Sequence, residues 1–409
     1  AERMEKDGHV IADFARRKAM IEEQAIAAGK EAGGAAQIDP DLLDEVTALV
    51  EWPLALMGSF DEDFLRVPQE ALISAMEEHQ KYFSVLDANG KLMPRFITIS
   101  NIQSKDPQQV IHGNEKVIRP RLADAVFYDN DCKKTLAQHG KGLANVVFQQ
   151  QLGTVADKCA RIGALAAIIA EQIGGDAEQA TLAGELSKAD LNSEMVGEFD
   201  TMQGIMGFYL ARLEGQPEEV AQALYEQYLP RFAGDKLPQS KTGMAVSLAD
   251  KIDTLVGIFG IGQKPSGTKD PYALRRATLG VLRIIIENQL DLDLQHLLEK
   301  AGDLLELRIN RSQAAEAFEF IKGRHGKKPR PWPLPTSGCP ISSPSWTRHR
   351  RRKSTAPCWK TRPSRPSPIW WWPATSSPNR CWKKATIRAY WKCSPNFVSR
   401  WTPSSTPSW

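Results

Sequence analysis

The sequence predicts a multidomain, mainly α-helical protein in which a small α+β module precedes a long helical region. Apolar residues recur every three to four positions through most of residues 151–321, the spacing of a helix face packed on a core. Between Trp52 and Asn101 the pattern changes to short apolar runs, two of which flank Asn89-Gly90, a pair that favours a tight hairpin. At 409 residues the chain has room for several hydrophobic cores.

Residues 1–45 form the first predicted unit, a helical segment. Amphipathic spacing predicts a helix over residues 1–32, the Gly and Ala residues at 33–36 end it, and Pro40 begins a second helix. The α+β module and a basic helix follow over residues 46–150. Its strands are expected in the runs PLALMGSF, DFLRVP, KYFSVLD and LMPRFITISN.

The most charged stretch of the module is Glu115–His139. Pro120 is expected at the first helical position, because proline there loses no needed hydrogen-bond donor. A helix from Pro120 would place Ile118, Leu122 and Val126 on one apolar face, with Arg119 and Arg121 towards solvent. Such a helix is either a solvated surface element or a site for an anionic partner.

Two helical units are predicted after the module. Residues 151–262 contain four apolar stripes at helical spacing, which predict core packing. Residues 263–322 predict at least two more helices, one beginning at Pro271. The stripes comprise Cys159, Ile162, Ala166, Ile169 and Ile173; then Phe199, Met202, Met206 and Leu210; then Val220, Leu224 and Tyr228 after Pro217; then Met244, Leu248, Ile252, Leu255 and Phe259.

Residues 323–409 differ from the rest of the chain. From Lys322 onward there are 19 Lys and Arg residues and no Asp or Glu, which leaves 33 basic and 49 acidic residues before it. Ten of the 11 Trp also lie in this tail, which shows neither helical nor strand periodicity. It is either a basic tail that binds single-stranded nucleic acid or, as we favour, the product of a shifted reading frame, because exposed Trp-Trp-Trp invites aggregation.

Cysteine usage and hydropathy indicate a cytoplasmic protein. Only Cys132 and Cys159 precede the tail, without the paired spacing of a disulfide framework. No apolar run is long enough for a membrane span, and the charged start AERMEKDGH is unlike a signal peptide. The absence of an initiator Met suggests an internal piece of a longer protein.

Sites for nucleotides, metals and nucleophilic catalysis are incomplete in this sequence. The segment 262–269, GQKPSGTK, inverts the order of Lys and Thr in a phosphate-binding loop and follows a predicted helix, which favours a plain interhelical loop. The block 151–262 has the layout of an HD-type phosphohydrolase, with Lys188, Asp190 and Asp253 at metal-site positions. No His lies inside this block, and an ammonium group at Lys188 would repel a divalent ion. We therefore expect a degenerate site that binds no metal, in which Lys188 pairs with Asp190, Glu194 or an external phosphate.

Six stretches in order resemble the β subunit of the bacterial two-subunit glycyl-tRNA synthetase. They are LLDEVTALVEWPLALMGSFDEDFLRVP, EEHQKYFSVLDANGKLMPRFITISN, EKVIRPRLADAVFYDND, VVFQQQLGTVADKCARI, LSKADLNSEMVGEFDTMQGIMG and SLADKIDTLVGIFGIGQKPSGTKDPYALRRATLGVLRIIIE. Together they extend the resemblance over residues 1–321.

This resemblance implies a subunit of glycine–tRNA ligase that binds tRNA(Gly). It implies that ATP, Mg²⁺ and glycine are handled on a separate class II α subunit, in a heterotetramer of two α and two β subunits, with no cofactor bound by this chain. It also implies that residues 151–262 form a degenerate HD-like domain, and that 263–322 begin an anticodon-binding domain of the DALR type. Two alternatives stay open: a metal phosphohydrolase, and a non-catalytic helical RNA-binding scaffold.

Residues that contact RNA must be inferred physically, because phosphate binding needs cations on an ordered surface. For each candidate taken alone, a solvated or intramolecular ion-pair role is the alternative we favour. Tyr82, Phe83 and Tyr128 could stack on bases, although core packing is the alternative we favour. The tRNA-binding candidates are Lys81, Arg95, Lys116, Arg119, Arg121, Lys269, Arg275 and Arg276.

Overall fold

A computed structural model describes residues 2–123, 126–305 and 310–325, and these form mostly helices with two small antiparallel sheets. The helices are α1 (Glu2–Gly8), α2 (Phe14–Glu31), α3 (Pro40–Leu49), α4 (Gln69–Ser74), α5 (Pro107–Ala123), α6 (Val126–Asp131), α7 (Leu136–Lys141), α8 (Val155–Gln172), α9 (Ala177–Leu186), α10 (Glu194–Glu198), α11 (Ile205–Leu213), α12 (Glu218–Glu226), α13 (Lys241–Gly260), α14 (Leu274–Glu287), α15 (Leu294–Leu305) and α16 (Arg311–His325). The strands are β1 (Ala35–Ala36), β2 (Leu54–Ser59), β3 (Phe83–Leu86), β4 (Leu92–Ser100), β5 (Val147–Gln149) and β6 (Gly153–Thr154). The mainly helical character predicted from the sequence is confirmed.

The first helical segment is broken earlier than predicted. His9 adopts a left-handed conformation with φ of 50°, which ends α1. Asp13 then accepts a hydrogen bond from the backbone N–H of Arg16 at 3.1 Å and caps the start of α2. The predicted start of α3 at Pro40 is confirmed, with Asp39 as its N-cap.

The four-stranded sheet has the order β1-β3-β4-β2, and all its pairs are antiparallel. The predicted hairpin joins β3 to β4, and Gly90 at its turn has φ of 76°, a conformation that favours glycine. One face of the sheet packs against α2 and α3 through the buried side chains of Phe83, Val85 and Ile97. This packing fixes the register of β4 and hence the direction in which Arg95 points.

Two elements of the module differ from the sequence prediction. DFLRVP is not a strand, because Asp61 accepts a hydrogen bond from the N–H of Asp63 at 3.0 Å and starts a 3-10 helix over Glu62–Arg66. Pro120 does not begin a helix, since α5 starts at Pro107 and contains Pro120 near its end. The predicted apolar face is confirmed where it is described, because Ile118 and Leu122 are both buried.

Helix α13 lies at the centre of the second half of the chain. It packs against α8, α9, α12, α14, α15 and α16. Most members of the predicted stripes of α8, α12 and α13 are buried, which confirms their assignment to packing, although Ile173, Tyr228 and Met244 are half-buried. Phe199 and Met202 precede α11 rather than lying in it. The hairpin of β5 and β6 was not predicted, since it contains little apolar alternation.

Most of the basic tail, residues 326–409, lies outside the described residues, as do the predictions made for it. Within the described ranges, none of the helices combines the length and the hydropathy that a transmembrane span requires.

Candidate functional site

Five charged side chains meet in the interior where α8, α13 and the turn after α9 come together. We call this set, Lys158, Arg161, Lys188, Asp250 and Asp253, the buried charge cluster. The Nζ atom of Lys158 lies 2.8 Å from Asp250 Oδ1 and 3.1 Å from Asp253 Oδ2, so one ammonium bridges both carboxylates. Arg161 donates from Nε to Asp253 Oδ1 at 2.6 Å, and Lys188 donates to Asp250 Oδ2 at 2.8 Å.

The cluster neutralises its carboxylates without a metal. Burial works against charge on Lys158, but Asp250 and Asp253 outweigh it and raise the pKa of the ammonium. Burial likewise opposes ionisation of Asp250, but Lys158 and Lys188 hold the pKa of its carboxyl well below the ordinary value. Since cations already occupy the carboxylate oxygens, these residues do not fit a divalent ion. Among the residues that the structure describes, no three His, Cys, Asp or Glu side chains converge to hold one.

The partner predicted for Lys188 was wrong. Lys188 pairs with Asp250 and with the side-chain oxygen of Gln227 at 2.7 Å, and its Nζ lies 4.0 Å from the ring centroid of Tyr228. Asp190 instead accepts backbone N–H bonds from Gly204 at 2.6 Å and Gly207 at 3.3 Å. Its burial, opposed in part by those bonds, raises the pKa of its carboxyl to about 6.

Sequence reasoning missed Lys158, Arg161 and Asp250, although a local signal exists for them. Leu165 extends the line from Lys158 through Arg161 at helical spacing, and it is fully buried. Val246 does the same for Asp250 and Asp253 on α13. A buried apolar residue on the same helix face as charged residues indicates that the charged residues are also buried.

Two of the predicted tRNA contacts, Lys116 and Arg119, lie one turn apart on α5, and we call their surface the α5 basic face. Arg95 does not share this surface, because successive side chains of a strand point to opposite sides of the sheet. The neighbouring Phe96 packs with Ile118 and Leu122 of α5, whereas Ile97, in phase with Arg95, packs towards α2 and α3. All three basic side chains are exposed, and none forms an ion pair within the described part of the chain.

The other candidates lie apart from this face. Lys81 pairs with Glu45 at 2.9 Å, and Arg121 lies beside a small apolar cavity against Val67 and Phe199. Lys269, Arg275 and Arg276 stand at the start of α14. The guanidinium of Arg275 donates to the carbonyl of Gly267 at 2.6 Å, which holds the preceding turn and leaves Lys269 and Arg276 exposed.

The segment 262–269 is an interhelical loop, which confirms the prediction from the sequence. Ser266 and Lys269 exchange backbone hydrogen bonds at 3.1 and 2.8 Å and close a turn between α13 and α14. Asp270 then accepts from the N–H groups of Leu274 and Arg275, at 2.8 and 2.9 Å, so a carboxylate occupies the helix start that a phosphate would need.

The aromatic candidates for base stacking divide into two kinds. Tyr82 and Phe83 are buried, and Tyr82 stacks on Phe96 at 4.6 Å while its hydroxyl donates to Asn114. Core packing is therefore confirmed for this pair. Tyr128 is half-buried, and burial, followed by the neighbouring Cys132, raises the pKa of its hydroxyl well above the ordinary value.

Comparison with known proteins identifies the family. The sequence profile of the glycyl-tRNA synthetase beta subunit matches residues 1–328. The glycine–tRNA ligase beta subunit of Stutzerimonas stutzeri is 62% identical over 321 residues, which are 78% of this chain and 47% of that protein. That of Chromohalobacter salexigens is 61% identical over 304 residues, 73% of this chain and 44% of that protein.

A third relative, the beta subunit of Pseudomonas aeruginosa, is 60% identical over 321 residues. The chain spans slightly less than half the length of these relatives. The match covers the module, the buried charge cluster and the helices up to α16. On this basis the chain belongs to the family of glycyl-tRNA synthetase beta subunits, components of an aminoacyl-tRNA synthetase.

Proposed function

We propose that this chain holds tRNA(Gly) for glycine–tRNA ligase and leaves bond formation to a separate α subunit. The observation that carries the proposal is the α5 basic face, which presents Lys116 and Arg119 to solvent with no acidic partner among the described residues. Unpaired cations on a folded surface are what phosphate contacts require. Lys269 and Arg276 extend the candidate set at α14.

The finer assignments belong to the same proposal. Residues 151–262 would form a degenerate HD-like domain, and residues 263–322 would begin an anticodon-binding domain. ATP, Mg²⁺ and glycine would be bound by the α subunit, in a cytoplasmic heterotetramer of two α and two β subunits. The buried charge cluster supports a non-catalytic role, because its carboxylates are committed to Lys158, Arg161 and Lys188.

Salt-dependent tRNA binding tests the proposal. The double variant Lys116→Ala with Arg119→Ala should bind tRNA(Gly) more weakly and reduce the slope of log K against log salt by up to about 2, one per lost phosphate contact. The matched control is Lys6→Ala with Lys236→Ala, which removes two exposed lysines elsewhere. The tail's charge is common to both proteins, so the difference between them reports the α5 basic face.

Equal salt slopes for the double variant and its control would refute the assignment of the face. The catalytic half of the proposal is checked separately by glycine-dependent ATP–pyrophosphate exchange with the purified chain. We expect no exchange unless the α subunit is added. Exchange by this chain alone would show that it activates glycine itself.

A further inference from the structure

A cleft of about 230 Å³ opens where α4 meets α11 and α12, and no part of the proposed function uses it. We call it the aromatic cleft. Its walls combine ring faces with hydrogen-bond acceptors. It is lined by Glu70, Ile205, Phe208, Tyr209, Gln222 and Tyr225.

The polar groups of the aromatic cleft are arranged to accept hydrogen bonds. Tyr209 donates its hydroxyl to Glu70 Oε2 at 3.0 Å, and burial, together with Glu70, raises the pKa of Tyr209 to about 12, so this donor keeps its proton. Gln222 donates from Nε2 to Glu226 Oε1 at 3.2 Å, which leaves its amide oxygen as an acceptor. Glu70 is the one charged residue among the six lining side chains.

The rings of the cleft already receive guanidinium groups from this chain. The Cζ atom of Arg212 lies 5.0 Å from the ring centroid of Phe208, and Arg231 lies 5.8 Å from that of Tyr225. Arg212 is neutralised by Glu218 at 3.0 Å. A planar cation therefore suits these ring surfaces, as expected from the negative face of an aromatic ring.

We propose that the aromatic cleft receives an arginine side chain from a protein partner, with the guanidinium against the rings and its N–H groups on Glu70 and the amide oxygen of Gln222. Guanidinium carries five donors and no acceptor, which complements a wall of acceptors around one carboxylate. A nucleotide fits less well, because its phosphate would approach the Glu70 carboxylate, and the nearby Arg212 and Arg231 already lie against Phe208 and Tyr225. This inference does not depend on tRNA binding at the α5 basic face.

The test compares two probes of nearly equal shape on the full chain. N-acetyl-arginine methylamide carries the guanidinium, and N-acetyl-citrulline methylamide replaces it with neutral urea. Saturation-transfer NMR should detect the arginine probe with a Kd on the order of 1 mM. The citrulline probe should bind at least about tenfold more weakly, because the charge-assisted hydrogen bond to Glu70 is lost.

Substitutions locate the binding. Glu70→Gln should weaken the arginine probe about tenfold, whereas Glu22→Gln, a matched loss of one exposed carboxylate on α2 and outside the cleft lining, should leave it unchanged. Tyr209→Phe, which removes only the hydroxyl bond to Glu70, serves as a second variant if Glu70→Gln fails to fold, and should weaken the probe without changing the rings. Equal binding of arginine and citrulline probes, tighter binding of guanosine monophosphate, no detectable binding, or equal effects of Glu70→Gln and Glu22→Gln would each overturn the proposal.

Discussion

Removing one carboxylate from the buried charge cluster should be one of the most destabilising single changes in the helical half. In Asp253→Ala, Arg161 loses both bonds to the carboxylate, at 2.6 and 3.2 Å, and keeps only the carbonyl of Leu152 at 3.3 Å. Asp253 is 2% exposed, so water cannot replace the lost partner. Breaking a buried pair from one side costs about 3–5 kcal/mol, a large share of a typical folding free energy of roughly 5–15 kcal/mol.

The opposite change, from the cation side, should cost far less. In Lys158→Met, Asp250 keeps Lys188 and Asp253 keeps Arg161, so each carboxylate retains a partner. An apolar side chain of similar length then replaces a desolvated ammonium, and the expected loss is about 1 kcal/mol or less. Comparison of the two substitutions therefore distinguishes the cost of an unpaired buried charge from the cost of a lost ion pair.

Urea unfolding followed by circular dichroism at pH 7 measures both losses from the shift of the midpoint multiplied by the m-value. The control is Glu218→Ala, which removes the ion pair between Glu218 and Arg212. The Glu218 side chain is 63% exposed, so this loss should cost less than about 1 kcal/mol. The reasoning fails if Asp253→Ala costs less than about 1 kcal/mol, or if Lys158→Met costs as much as Asp253→Ala.

Three further predictions follow from single residues. Burial raises the pKa of Asp190 to about 6, so between about pH 4 and 6 the folded chain binds more protons than the unfolded chain. This carboxyl therefore makes the free energy of unfolding fall as pH rises through that window. Asp190→Asn should remove that part of the pH dependence, measured as urea midpoints across the same window. Gly58→Ala should destabilise the protein by about 1–3 kcal/mol, because the added Cβ would lie 2.3 Å from the ring of Phe96. The control Gly113→Ala on α5, where open space surrounds the added Cβ, should stabilise the protein by up to about 1 kcal/mol. Equal melting temperatures for the two variants would contradict this prediction. Lys188→His should bind no stoichiometric Zn²⁺ or Mn²⁺ by elemental analysis, because Lys158 still bridges Asp250 and Asp253; one bound metal per chain would show that the cluster opens.

Periodicity was sufficient to find the helices whose faces are buried along their length. The stripes of α8, α12 and α13 and the hairpin at Asn89-Gly90 depend on neighbours within a few residues, so local patterns contain them. The start of α5 was misplaced because Pro120 is compatible with both the beginning and the last turn of a helix. DFLRVP was misread because a single capping carboxylate, Asp61, outweighs its apolar content.

The partners inside the buried charge cluster could not be predicted in the same way. Lys158 and Asp253 are 95 residues apart, and their pairing depends on how α8 packs on α13 rather than on either segment alone. Reasoning from residue types assigned Lys188 to Asp190, Glu194 or an external phosphate, and the two carboxylates are close to Lys188 in sequence. The fold instead offers Asp190 two backbone N–H groups and gives Lys188 to Asp250.

Residues before Lys322 carry a net negative charge, so binding of an anionic partner depends on where unpaired cations lie on the surface. Residues before Lys322 carry 33 basic and 49 acidic groups, so the average surface repels phosphate. Lys158, Arg161 and Lys188 form ion pairs in the interior, and Lys81 forms an ion pair with Glu45. The free cations of the α5 basic face are therefore a local exception to an acidic surface. Binding there should weaken as salt rises, because each phosphate contact releases counterions, while screening of the surrounding acidic residues offsets part of that loss.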